Sequence, residues 1–247
     1  MSETWLLPQV QEVLERLHML ADTHDASIDP SVCSTPDWTA ANSQQKATML
    51  RDALLPVSRD AGRFLYGVVR STAAKRIVEF GTSFGISTIY FAAALRDNGG
   101  GVVIGSELEP SKVAKATQHL AETGLSEYAE IRAGDAMETL RDTGGAIDVL
   151  FLDGWKELYL DVLHLVAANL RPGSVVLADD VALFPEQLAS YLAYIRDPAN
   201  GFASVYLPLG DGIEYSVSQI RTFPFRSTFS DSRRVGLPLH SRSSTLV

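Results

Sequence analysis

Asp148-Val-Leu-Phe-Leu-Asp-Gly-Trp-Lys-Glu-Leu-Tyr159 is the stretch on which the reading of this chain turns. Val149, Leu150, Phe151 and Leu152 form an unbroken apolar run, which then stops at an acid, a glycine and a lysine. A run of this length, followed by helix-forming residues, reads as a central parallel strand buried on both faces and feeding a helix. Open α/β sheets gather their chemistry at the carboxyl ends of the strands. Asp153 falls where the strand ends and Lys156 where the helix is expected to begin. A second pair of acids, Asp179-Asp180, ends the apolar run Ser174-Val-Val-Leu-Ala178. Two strands therefore deliver three acids and a lysine to one rim, which reads as a divalent-metal site with a general base beside it.

The chain outward from that rim fits one α/β domain with additions, since it has 247 residues and an ordinary apolar fraction of 46%. A net charge of -9 lacks the basic footprint of a nucleic-acid binder. The single cysteine, Cys33, forbids an internal disulfide and fits a reducing compartment. With no basic, apolar leader at Met1–Trp5 and no span-length apolar run, the expected setting is the cytoplasm.

From the start, Leu6, Val10, Val13, Leu14, Leu17 and Leu20 fall at helical spacing over residues 5–21. Residues 22–44 carry Asp, Ser, Thr, Pro and Asn without periodicity and read as a loop, either a connector or a lid over a substrate. Helices are expected over 45–54 and 58–69, the second capped by Ser58. Arg76–Phe80 reads as a strand running into Gly81-Thr-Ser-Phe-Gly85 and a helix over 86–95. Glycine lets backbone approach a ligand and a helix start offers free N–H groups, so this is a nucleotide-type cradle. Its spacing is not G-x-G-x-x-G, which disfavours a dinucleotide oxidoreductase. Val102–Ile104 forms the next strand, closed by Glu107, an acid placed to bind ribose hydroxyls; Glu109 beside Pro110 is the competing candidate. A helix over 111–123 precedes a short strand, 128–132, and then Gly134-Asp135-Ala136, where Asp135 caps a helix, meets an adenine amino group, or does both. A helix over 156–170, a turn at Arg171-Pro-Gly173, a helix over 185–195 and two antiparallel edge strands, 202–207 and 213–218, complete the body. The tail from Ile220 carries five arginines against one acid and no period, and is read as disordered or docked on a partner subunit.

Five segments occur in order: Glu79-Phe-Gly-Thr-Ser-Phe-Gly-Ile-Ser-Thr88, Glu107-Leu-Glu-Pro110, Gly134-Asp-Ala136, Asp153-Gly-Trp-Lys156 and Asp179-Asp180. Together they resemble the metal-dependent class I O-methyltransferases of the catechol and caffeoyl-CoA type, over roughly 56–219. The resemblance implies a Rossmann-like seven-stranded, mostly parallel sheet with an antiparallel last strand and helices on both faces. It implies S-adenosylmethionine as cofactor, with Glu79 and Gly81 against its methionine and ribose part, Ser87 at the methionine carboxylate and Ser58 assisting. Glu107 would hold the ribose hydroxyls, Asp135 and Ala136 would border adenine, and Asp153 would lie beside both cofactor and metal. Asp153, Asp179 and Asp180 would be ligands of a divalent cation, Mg²⁺ first and Mn²⁺ or Ca²⁺ as alternatives, with Lys156 as base. Segments 1–55 and 220–247 lie outside the match, as an N-terminal helical segment with a lid and as a tail.

Most members of the family it resembles carry Asp-Asn where this chain has Asp179-Asp180. A third carboxylate binds a hard cation more tightly but neutralises more of its charge, so a bound hydroxyl is acidified less. The implied reaction is methyl transfer to a vicinal dihydroxy aromatic. The alternatives are a same-fold methyltransferase acting on another acceptor, such as a sugar hydroxyl, and a nucleoside-binding protein without turnover. Expected partners are a small hydroxylated acceptor and a second copy of the chain in a homodimer, with no nucleic acid and no membrane.

Overall fold

The computed structural model describes residues 3–27 and 35–219. Cys33, part of the 22–44 segment and the tail from Ile220 lie outside the described residues. Seven strands form one sheet: β1 (Arg76–Phe80), β2 (Val102–Glu107), β3 (Ala129–Ala133), β4 (Ile147–Leu152), β5 (Leu170–Ala178), β6 (Phe202–Leu207) and β7 (Ile213–Ser218). Their spatial order is β3-β2-β1-β4-β5-β7-β6, with β7 antiparallel to both neighbours and the other six parallel. This is the Rossmann-like sheet expected from the sequence, and the last two strands have the bounds read there.

The apolar run of β4 is continuous because both its faces are covered. Val149 and Phe151 join Ile77, Val175 and Leu177 in one core, beneath α1 (Pro8–His24), α4 (Arg59–Ser71) and α5 (Ile86–Asp97). Leu150 and Leu152 join Val78 and Val176 in the other, beneath α8 (Tyr159–Val166) and α9 (Ala189–Arg196). Side chains alternate across a strand, so neighbouring residues serve opposite layers. No helix among the described residues is long and apolar enough to cross a membrane.

Several element bounds differ from the sequence reading, each for a local reason. The first helix starts at Pro8, whose missing N–H suits the first helical position, and Thr4–Leu6 before it is a 3-10 turn. Val10, Val13, Leu14 and Leu17 are buried as expected, whereas Leu6 and Leu20 face solvent. The 22–44 segment is not all loop: α1 runs on to His24, and α2 (Pro36–Ala40) forms on a Thr35 cap. The helix expected over 45–54 is α3 (Ser43–Met49), fixed by a capping box between Asn42 and Gln45. It ends early because the Asp25 carboxylate takes the N–H groups of Leu54 and Leu55, at 3.0 and 2.7 Å, leaving 54–57 as an irregular strap in which Leu55 has φ +46°. The helix expected over 156–170 is split, with a 3-10 turn at 156–158 before α8 and another at 167–169 after it. Arg171-Pro-Gly173 lies inside β5 rather than in a turn before it, and α9 starts four residues later than expected.

Candidate active site

The site is assembled by register. Phe80 of β1 pairs with Leu152 of β4, which pairs with Ala178 of β5, so three strand ends stand level. The ladder then continues one residue further: Asp153 N–H donates to the Phe80 carbonyl at 2.8 Å, and Asp179 N–H to the Leu152 carbonyl at 3.0 Å. Gly81, Asp153 and Asp179 are thereby held side by side. On the other flank Gly81 N–H bonds the Ser106 carbonyl and Gly134 N–H the Glu107 carbonyl, which brings the ends of β2 and β3 to the same rim.

Asp153, Asp179 and Asp180 each offer a carboxylate oxygen, all within 4.8 Å of one another. Lys156 Nζ lies 2.6 Å from Asp180 Oδ2 and 3.4 Å from Asp153 Oδ1. It also donates to the Tyr159 hydroxyl at 2.8 Å, and that hydroxyl donates to the Asp179 carbonyl at 3.3 Å. Tyr159 is fully buried between Phe80 and Tyr191, so the oxygen that receives Lys156 is fixed by packing. Asp180 takes a left-handed backbone, φ +65°, with its N–H on Asp179 Oδ1 at 2.9 Å. Asp is among the few residues that tolerate this region, and its presence at a site is a strain the surrounding turn must hold.

Burial dominates the electrostatics. It pushes the Asp153 carboxyl well above the usual range; Lys156 works against that rise, and Asp179 and Asp180 add to it. Asp179 is pushed up to about 7 by burial and by the adjacent Asp180. Burial disfavours the Lys156 charge, but the Asp153 and Asp180 carboxylates outweigh it and hold Lys156 above its ordinary value. Without another cation, Lys156 is thus a bound ammonium rather than a free base. An all-carboxylate donor set of this spacing fits a hard divalent cation, which would neutralise what one lysine leaves uncompensated.

Beside the acids lies a narrow cleft between the strap and the glycine turn, lined by Leu54, Val57, Gly81, Ser83, Ser87 and Asp153 among others. Asp153 belongs to both cluster and cleft. Gly81 has φ +96°, and a Cβ there would stand 2.4 Å from the Asp153 carbonyl oxygen. Glycine at this position thus lets the turn pack directly against the backbone at the end of β4, which sets Asp153 beside the cradle.

The remaining expected residues divide. Glu107 is half-buried, with its carboxylate on Ser83 N–H and Glu109 N–H, both at 2.8 Å, at the tip of the cradle. Glu109 caps α6 (Pro110–Glu122) through Ser111 N–H. Asp135 is exposed and caps α7 (Ala136–Thr139) through Met137 N–H at 2.8 Å, with Ala136 buried behind it. Glu79 does not line the cleft. It is fully buried and receives hydroxyls from Thr82, Ser87 and Thr88 at 2.9, 2.7 and 2.6 Å. It therefore holds the cradle from behind. Ser58 also stands outside the cleft, with its hydroxyl oxygen accepting Ala61 N–H as the cap of α4. From sequence, Tyr159 and Trp155 flank the site but read as packing aromatics and stay outside its core set, and Lys46 is not marked at all. Tyr159 is packed as expected, and its hydroxyl in addition receives Lys156; Lys46 has no signal in the sequence.

A family model described as a methyltransferase domain matches residues 78–181. The chain is 33% identical over 146 residues to a catechol O-methyltransferase of Niastella koreensis, covering 58% of this chain and 64% of that enzyme, just under two thirds of its length. It is 30% identical over 159 residues to a catechol O-methyltransferase of Mycobacterium tuberculosis, covering 64% of this chain and 70% of that enzyme. Among solved structures, an O-methyltransferase from Bacillus cereus in complex with S-adenosylhomocysteine shares the fold, with TM-score 0.60, 19% identity, and 83% of this chain and 99% of that one covered. A Streptomyces achromogenes O-methyltransferase of tomaymycin synthesis, solved with S-adenosylmethionine, does so with TM-score 0.59, 24% identity, and 84% and 99% covered. A sheet of this order, bearing its acids and its glycine turn on one rim, has relatives of one kind at both levels: the chain belongs to the class I S-adenosylmethionine-dependent O-methyltransferases, the family of the catechol and caffeoyl-CoA enzymes.

Proposed function

We propose that this protein is a divalent-cation-dependent O-methyltransferase acting on one hydroxyl of a small vicinal dihydroxy aromatic. The observation that carries the reading is the convergence of Asp153, Asp179 and Asp180 within 4.8 Å, against Lys156, at the edge of the glycine cradle. Asp153, Asp179 and Asp180 would hold the cation, Gly81 and Ser87 would border the methionine end of the cofactor, and Glu107 would take the ribose. S-adenosylmethionine supplies a methyl group on a sulfonium, and the cation supplies Lewis-acid charge for a pair of oxygens. A phenol has a pKa of about 10, so at neutral pH it needs help to lose its proton. Lys156 Nζ, which stands against the acids, would accept it once the carboxylates that hold it as an ammonium are otherwise engaged. Tyr159 keeps Nζ on station in the meantime. Seating both reactants in one cleft contributes further, since orientation alone is worth roughly 7–11 kcal/mol in favourable cases.

The test is methyl transfer from labelled S-adenosylmethionine to catechol, with Mg²⁺ and then with a chelator. Transfer lost on chelation is the expected result. Transfer that survives chelation would remove the metal roles of the three acids, and no transfer to any catechol would remove the acceptor.

A further inference from the structure

Lys46 is absorbed neither by the acid cluster nor by the cofactor cleft, yet it stands on the same side of the molecule as Trp155. Trp155 follows the cluster acid Asp153 by two residues, and the ring of Trp38, from α2, meets it edge-on with centroids 6.0 Å apart. Lys46, from α3, places Nζ 5.4 Å from the centroid of Trp38. Leading away from the acids, the wall therefore runs Trp155, Trp38, Lys46. Phe184 borders the cluster as well, its ring 5.7 Å from Lys156 Nζ. An aromatic acceptor with its oxygens at the acids would lie along these rings and carry its tail outward.

The charges at the outer end are not equivalent. The Lys46 side chain is only 20% exposed and is held by a cation–π contact and by the capped helix that carries it. Its one carboxylate within ion-pair reach, among the described residues, is Glu157 at 3.5 Å, whose side chain is 50% exposed. Lys46 is the fixed charge and Glu157 the displaceable one. A tail carboxylate can take the place of Glu157 on Lys46, and Glu157 then returns to water at little cost. A tail ammonium finds the Trp38 face already taken by Lys46, and it must crowd that cation or drive it off.

We propose that Lys46 is a specificity-determining residue that selects acceptors whose tail ends in a carboxylate over those whose tail ends in an amine. This inference rests on the catechol reading above, with Glu157 as the occupant that the substrate's own carboxylate replaces.

The experiment compares kcat/KM for three acceptors, 3-(3,4-dihydroxyphenyl)propanoate, dopamine and unsubstituted catechol, in the wild-type protein and in Lys46→Gln, Lys46→Arg and Lys46→Glu. The wild type should prefer the propanoate over dopamine by on the order of tenfold. Lys46→Gln should bring that ratio to within about threefold, Lys46→Arg should keep it, and Lys46→Glu should invert it. Rates on catechol, which has no tail, should stay within about twofold in all four, and this doubles as the check that each variant is folded. Transfer to catechol with no tail preference in the wild type, or a preference that Lys46→Gln leaves intact, would overturn the inference alone. Absence of transfer to catechol itself would overturn the acceptor reading and this inference with it.

Discussion

At the scale of single residues, the arrangement of Lys156 separates two roles that one side chain must play. With only the acids around it, Lys156 is a charged donor to Asp180, Asp153 and the Tyr159 hydroxyl. A base must lose that proton, so its function requires the carboxylates to be drawn toward another cation. Lys156→Ala should therefore lower kcat by at least about 100-fold, in the range general bases contribute. Affinity for S-adenosylhomocysteine, measured calorimetrically, should stay within about twofold, because Lys156 is not among the residues lining the cleft. Equal losses in turnover and affinity would count against the base. Tyr159 acts through Lys156, so Tyr159→Phe should cost roughly tenfold in kcat while keeping the ring that packs against Phe80 and Tyr191. In the double variant the Tyr159 effect should vanish, and a double-mutant cycle with additive losses would show that the hydroxyl does something else.

Among the elements, the β1–α5 turn shows how backbone makes the cradle. Gly81→Ala would drive a Cβ to 2.4 Å from a carbonyl oxygen that β4 holds rigid, at a φ that L side chains avoid. A loss of about 2–4 kcal/mol in denaturant unfolding is expected, with cofactor affinity falling more than about tenfold. Ser58→Ala gives the contrasting case: the cap of α4 is lost, at about 1 kcal/mol, while S-adenosylhomocysteine affinity holds. A drop in affinity there would restore the cofactor role expected from sequence. These two positions also mark what was legible beforehand. The strands could be read because parallel strands covered on both faces must be apolar throughout, and their ends then fall where polar residues begin. Register turned those ends into a rim, so Asp153, Asp179, Asp180 and Lys156 meet where the sequence suggested. The strap at 54–57, the short α3 and the Lys46–Glu157 pair could not be read. Each depends on a partner far along the chain, as when Asp25 takes the N–H groups of Leu54 and Leu55 and so denies them to a helix. Local periodicity carries no record of such competition.

For the molecule as a whole, the acid rim links folding, pH and cation binding. The Asp179 carboxyl titrates at about 7 in the folded chain, against about 3.9 when unfolded. Asp153 is raised in the same direction. Between the two values the folded state keeps a proton that the unfolded state has released, so the unfolded state binds fewer protons and stability falls as pH rises. For Asp179 the loss starts above about 4 and is complete once the pH has passed about 7. Lys156, raised above its ordinary value, contributes stability that is constant through this window and is lost only at alkaline pH. Glu79, buried and also raised, adds to the same fall but lies away from the cluster. In chelator, the melting temperature should thus decline from pH 5 to pH 8. A divalent cation needs the carboxylates ionised, so it competes with those protons and its affinity should climb through the same interval. Millimolar Mg²⁺ should accordingly raise the melting temperature strongly at pH 8 and little at pH 5.5, and Asp179→Asn should flatten both the decline in chelator and the recovery with Mg²⁺. The contribution of Glu79 would persist in that variant, which separates general burial of acids from the rim. If Mg²⁺ stabilised the protein equally at both pH values, the cation would be binding elsewhere, and the three carboxylates would need another explanation for being held so close.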